Sequence, residues 1–392
     1  MNGEQPNRPF AARAAVWYRR MQVMTVKEFL QLFRDTVVLG FMVYVFTMDV
    51  YLAGSGVSLE LKNATTVVYD ADHSAASREL TYRFRPPYFK LDGEIAHMEQ
   101  GVRLLDQGEE MLALYIPPHF QEDLRNGKPT AVQLQVDSTN SVLGLLAAGY
   151  GARIVGQFGL EAALLRLGVS GDGQENLPII QDDNRAWFNP NQNDAWFMSI
   201  SELLTDITLF AIFLPGAAMV REKERGTVEQ LLVSPLSPFQ IMFPKILAMT
   251  AVILVGTALS LFAILEGVFH VPLQGSLTLF FAVTTLYVFT TAGLGMFIAT
   301  VARNMAQVGM LTVLVFLPMI FLSGAWTPPE AMTYWMRGLM YISPLHYFLD
   351  ASFGILLKGA GMKNLWDSIL AIVVIGSINF GLGMWRFRRQ FQ

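Results

Sequence analysis

Four carboxylates lying in otherwise apolar stretches, Asp49, Glu202, Asp206 and Glu266, are the residues of this 392-residue chain best placed to do chemistry. Glu202 and Asp206 are four apart, so a helix puts them on one face. Acids in an apolar surround are costly unless water or a positive charge relieves them. Two readings stay open: carboxylates reaching the outer ends of membrane helices, or carboxylates touching a substrate in a wet outer vestibule. Other catalytic signatures are missing. His73, His97, His119, His270 and His346 show no close pairing of the H-E-x-x-H kind, so no metal site is expected. No Gly-x-Ser-x-Gly elbow occurs. The nearest match to a phosphate loop, Asn126-Gly127-Lys128-Pro129, lacks the first glycine and the hydroxyl. The chain is therefore not expected to be an enzyme or to hold a cofactor. Energy, if used, must come from another subunit.

The elements that carry these acids belong to a membrane protein. Composition is 53% hydrophobic and 15% charged, with a mean hydropathy of +0.38, which is too apolar for an ordinary soluble chain of this length. A hydrocarbon core of about 30 Å needs roughly 20 apolar helical residues. Such windows fall at Thr36–Ala53, Ser199–Val220, Ile246–Leu265, Leu277–Val301, Val308–Trp326 and Leu365–Trp385. The expectation is a polytopic α-helical membrane protein with six transmembrane helices. Residues 58–196, between the first two, form a water-soluble α/β domain. Some 35 mostly polar residues precede the first span, longer than the basic leader of a cleaved signal, so the span is expected to be retained.

Basic residues set the orientation. Arg8, Arg13, Arg19, Arg20, Lys27, Arg34, Arg221, Lys223, Arg225, Lys245, Arg303, Arg386, Arg388 and Arg389 fall on one side of the six spans, against Arg337, Lys358 and Lys363 in short loops on the other. Both termini are expected to be cytoplasmic and the soluble domain periplasmic. That domain carries 11 basic and 19 acidic residues, which disfavours a nucleic-acid partner. The chain has no cysteine, so the domain must rest on its own core.

Within it, 65–70, 111–116 and 131–136 read as strands, and 74–84, 94–107, 118–126 and 141–167 as helices. Residues 168–184 read as a flexible return to the membrane. Before the first span, 11–33 interleaves basic residues with Val16, Trp17, Met21, Met24, Phe29, Leu30 and Phe33. That spacing predicts an interfacial helix within residues 1–35 that contacts membrane lipids.

The loop after the second span has the strongest local grammar. Arg221, Glu222, Lys223, Glu224 and Arg225 end a helix, with cations where its dipole favours them, and Gly226 stops it. Thr227 with Gln230 forms a capping box, Glu229 lies in the first turn, and Leu231 gives an apolar side before Ser234-Pro235. Ser237-Pro238 launches the next segment. A short, rigid docking helix within 221–238 is expected. Between the last two spans, 328–363 holds apolar runs too short to cross, read as re-entrant or interfacial helices broken at Pro344. Gly324, Pro328, Pro344, His346 and Asp350 are gate candidates, with His346 and Asp350 one turn apart and able to share a local hydrogen bond. Small residues at helical spacing, Ala292, Gly293, Gly295 and Ala299, permit close helix packing or a dimer face.

These features together resemble the membrane subunits of ABC-2 type ABC transporters, in particular bacterial exporter permeases with a large periplasmic insert. The resemblance spans nearly the whole chain. It rests on Arg221–Pro238, on Val67-Val68-Tyr69-Asp70, on Ile116-Pro117-Pro118-His119-Phe120 with Val136-Asp137-Ser138-Thr139-Asn140, and on Phe321–Pro328 with Ser343-Pro344-Leu345-His346-Tyr347-Phe348. It implies a dimeric inner-membrane permease, of two identical or two different chains, exporting amphipathic, lipid-like or drug-like cargo. ATP and Mg would be bound by a separate ABC ATP-binding subunit, contacted by the loop helix and the N-terminal helix. A periplasmic adaptor is a further partner to test. The alternative is a non-transporting anchor or sensor whose outer domain binds a ligand.

Overall fold

The computed structural model describes residues 10–56, 61–168, 187–191, 193–226, 236–325, 327 and 329–390. The chain forms two compact units, one of residues 1–57 with 186–392 and one of residues 58–185.

The first unit is helical. It opens with α1 (Phe10–Phe33), which Asp35 separates from α2 (Thr36–Gly56) by capping the new helix through Val38 N–H. Among the described residues, five helices are long and apolar enough to cross a membrane: α2, α7 (Asp194–Glu224), α8 (Pro238–Leu259, continuing as a π turn over Ser260–Glu266), α9 (Leu277–Val301) and α13 (Met362–Gln390). The fifth predicted span is α10 (Met305–Phe321), an apolar helix of 17 residues. Two shorter helices follow it, α11 (Tyr334–Met340) and α12 (Pro344–Leu356).

At the centre lies α7, packed against α2, α8, α9, α10 and α12. Glycines set how closely it is approached. A Cβ on Gly295 of α9 would land on the Ile212 carbonyl oxygen of α7, and one on Gly293 would lie 2.5 Å from Phe380 Cα of α13. Ala292 and Ala299 are fully enclosed. The small-residue stripe therefore serves packing within the chain. Although sequence placed Lys245 in a cytoplasmic loop, it is inside α8. The capping box of Ser237 with Gln240, and Pro238 at the first helical position, start that helix well before the apolar window begins.

In the second unit, four strands, β1 (Ala64–Asp70), β2 (Phe89–Glu94), β3 (Leu112–Ile116) and β4 (Gln133–Val136), form a sheet in the order β2-β1-β3-β4. The β1 strand is parallel to β2 and β3, and β4 is antiparallel to β3. Between and after them come α3 (Ala75–Arg83), α4 (Met98–Asp106), α5 (Phe120–Asn126) and α6 (Ser141–Arg166). Strand alternation divides the core: Val68, Leu112, Leu114 and Ile116 pack on one face, and Val67, Ala113 and Tyr115 on the other. Sequence reading missed β2, whose Phe-Lys-Leu-Asp-Gly-Glu has only two apolar residues. The predicted return over 168–184 lies, beyond Gly168, outside the described residues.

Candidate functional site

Four consecutive charges end α7, and helical spacing fans them in different directions. Each is fastened to a different element. Arg221 Nη1 pairs with Asp35 Oδ2 at 2.8 Å, at the start of α2. Glu222 Oε1 accepts from Lys245 Nζ of α8 at 2.8 Å and from Lys27 Nζ of α1 at 2.5 Å. Lys223 Nζ donates to the Ala299 carbonyl in the last turn of α9. Glu224 Oε1 accepts from Met305 N–H, the first residue of α10, at 2.9 Å.

Around Glu222 these bonds close into an alternating group of two lysines and two glutamates. Lys245 Nζ also reaches Glu28 Oε1 at 2.6 Å, and Lys27 lies 3.4 Å from the same oxygen. Lys245 is 0% exposed, Glu28 and Glu222 1% each. Buried charges are tolerated only when paired at short range, and here every charge has an opposite neighbour. Burial lowers the affinity of Lys27 for its proton, but Glu222 and Glu28 outweigh that and hold its pKa above the ordinary lysine value.

Gly226 ends α7 in the left-handed region at φ 68°, its N–H bonded to the Lys223 carbonyl at 3.1 Å. The docking-helix residues Thr227, Glu229, Gln230, Leu231, Ser234 and Pro235 lie outside the described residues. The helices on either side of these residues, α7 and α8, are joined by the Glu222–Lys245 pair. Beside them, between α1 and α7, opens a cleft of about 570 Å³ whose lining includes Lys27, Arg34, Arg221, Arg225 and Asp35. Sequence reading named Arg221–Arg225 but missed Asp35, Glu28 and the roles of Lys27 and Lys245, because it fixes only local neighbours. The one available signal was a charged residue, Lys245, downstream of a well-formed helix start.

A helix does precede the first span, α1, and its Val16, Trp17, Leu30 and Phe33 are exposed. Its inward face is Met21, Glu28 and Leu32. Part of the anticipated apolar face thus points away from the protein, and a glutamate points in.

At the other end of α7, Asp49, Glu202 and Asp206 converge, each offering a carboxylate oxygen within 4.8 Å of the others. Asp49 is the last residue of a π turn over Val45–Asp49 within α2. Glu266 is exposed and outside the group. Asp206 lies about three turns inside α7, deeper than the outer-end position expected of it.

Of the gate candidates, Pro328 lies outside the described residues. Gly324 takes φ 93° and has Pro329 and His346 as neighbours. Pro344 occupies the first turn of α12. His346 and Asp350 do not bond each other: His346 Nδ1 lies 3.0 Å from the Ser323 carbonyl, and Asp350 Oδ2 accepts from Ser368 Oγ of α13 at 2.7 Å. The two side chains instead tie α12 to the end of α10 and to α13. Phe348 of α12 stacks on Tyr287 of α9 at 4.0 Å, and Tyr287 shares a hydrogen bond with Thr208 of α7 at 2.9 Å. This short helix is thus seated among the apolar helices.

A family model described as ABC-2 family transporter protein matches residues 36–385. The chain belongs to the ABC-2 transporter family. Its curated relatives include the inner membrane transport permease YhhJ of Escherichia coli strain K12, 36% identical over 365 residues, covering 93% of this chain and 96% of that protein. The probable multidrug ABC transporter permeases YbhR and YbhS of the same strain are 29% and 26% identical, each over 95% of this chain and 99% and 98% of their own lengths. This ABC-2 chain is therefore a multi-pass membrane protein of the transport permease class, and its relatives are permease subunits.

Proposed function

We propose that the chain is the permease subunit of an ATP-driven exporter in a bacterial inner membrane, moving amphipathic, lipid-like or drug-like cargo away from the cytoplasm. Six helices cross the bilayer, with α10 as the fifth. Both termini and the 221–238 coupling segment face the cytoplasm, and residues 58–196 face the periplasm, where an adaptor protein could dock. Two such chains, identical or different, form the path. A separate ABC ATP-binding subunit carries ATP and Mg.

The observation that carries this reading is the charged end of α7. A partner that pushed on loop 227–235 would act on a helix whose last turn is bonded to α1, α2, α8, α9 and α10 at once. A local push would then displace the bundle as a connected body, which suits coupling of an external ATPase to a transmembrane path. The cleft at the end of α7, lined by Lys27, Arg34, Arg221 and Arg225, supplies a surface for acidic groups of that partner. In this reading α12, with Gly324, Pro328, Pro344, His346 and Asp350, is the gate.

The test is ATP-driven movement of a fluorescent amphiphile in proteoliposomes containing this chain and its ATP-binding subunit. Accumulation that needs both proteins and ATP is expected. No movement, with a folded and assembled complex, would give the chain to the anchor or sensor reading.

A further inference from the structure

The two ends of α7 treat buried acids differently. At the Arg221–Glu224 end, the fold gives Glu28 and Glu222 lysine partners. At the other end, Asp49, Glu202 and Asp206 bring three carboxylates within 4.8 Å, and none forms an ion pair with any described Lys, Arg or His. Asp206 is 3% exposed, and its Oδ2 accepts no hydrogen bond from any described residue. Asp49 and Glu202 are half-buried. The cluster is thus sealed on the Asp206 side and open on the other.

Three carboxylates this close in an apolar surround repel one another when ionised, and an orphaned buried oxygen adds an unrelieved desolvation cost. A positive group entering from the open side would relieve both. Its geometry can be specified. A primary ammonium directs three N–H groups tetrahedrally, and at N···O of about 2.8 Å its acceptors stand about 4.6 Å apart, inside the observed envelope. Met48, Tyr51 and Leu52 are exposed on the turns of α2 that carry Asp49, an apolar wall along which an alkyl chain can lie. We propose that Asp49, Glu202 and Asp206 bind the ammonium head of an amphipathic amine, the cargo class of this permease. The assignment of that amine as cargo rests on the exporter reading; its binding does not.

The test uses the full chain in phosphatidylcholine nanodiscs, without ATP or the ATP-binding subunit. Dodecylammonium is the probe, with dodecanol and Ca²⁺ as comparisons. Carbodiimide labelling of Glu202 in the wild-type protein, read by mass spectrometry, is expected to slow on adding dodecylammonium and not on adding dodecanol. Asp206→Asn is expected to weaken dodecylammonium binding about tenfold or more, the effect of losing one charge-assisted hydrogen bond. Equal protection by dodecanol, protection by Ca²⁺ alone, no protection at all, or unchanged affinity in Asp206→Asn would each overturn the proposal. Because labelling needs no folded variant, misfolding of Asp206→Asn cannot hide the answer. Since no nucleotide is present, failure here leaves the exporter reading standing, and failure of ATP-driven transport leaves this binding result intact.

Discussion

Lys245 places its ammonium between Glu28 and Glu222, and its contribution is set by what would remain without it. Removing one member of a buried ion group leaves uncompensated charge and costs about 3–5 kcal/mol, whereas replacing the whole group by neutral residues is close to neutral. Lys245→Met should therefore lower the melting temperature of the purified chain sharply. Adding Glu28→Gln and Glu222→Gln to it should restore most of the loss, since the half-exposed Lys27 can turn to water. No recovery would mean that the charges, and not merely their balance, hold the helices together. In the second unit, burial raises the pKa of Glu110, and the nearby Asp92 charge adds to it. A carboxyl whose folded pKa lies above its unfolded one gives stability that is complete below the unfolded value and lost as pH rises through the folded value. Glu110→Gln should thus slow hydrogen exchange of the β3 amides in the full chain at neutral pH. The difference from wild type should disappear in acid.

Among elements, α7 is the one the others are built around, and its neighbours are held close by missing side chains. Gly295→Ala would drive a methyl into the Ile212 carbonyl, an overpacking that costs about 1–3 kcal/mol. Gly309→Ala in α10 meets nothing within 4 Å and should leave the melting temperature near wild type. Equal melting of the two variants would show that the α7–α9 approach is slack. The π turns at Val45–Asp49 and Ser260–Glu266 were not legible in sequence, because a π turn keeps the composition of an ordinary apolar helix. The helices containing them were legible, because runs of about 20 apolar residues have few other uses.

At the scale of the molecule, the division into apolar helices and one α/β unit could be read from hydropathy and from strand alternation. Strands β1 and β3 were found through continuous apolar runs such as Leu112–Ile116, and β2 escaped because Lys90, Asp92 and Gly93 dilute its pattern. Site residues were legible where chemistry is local. Glu202 and Asp206 were paired by their spacing, and Gly226 was recognised as a helix stop. Asp49 joining them, and Glu28 meeting Lys245 across 217 positions, depend on tertiary packing that no spacing rule contains. What unites these features is a helix, α7, with a closed ion group at one end and an open acid cluster toward the other.

The central claim, that a separate ATP-binding subunit drives this chain through residues 227–235 between α7 and α8, is tested most directly by co-purification with candidate ABC ATP-binding proteins from the same cell. ATPase activity would be measured for wild type and for Glu229→Arg. A stable wild-type complex is expected, with Glu229→Arg weakening docking about tenfold, the effect of roughly 1.4 kcal/mol at an interface, and leaving folding intact. Normal docking and activity in Glu229→Arg, or no complex at all, would contradict the account.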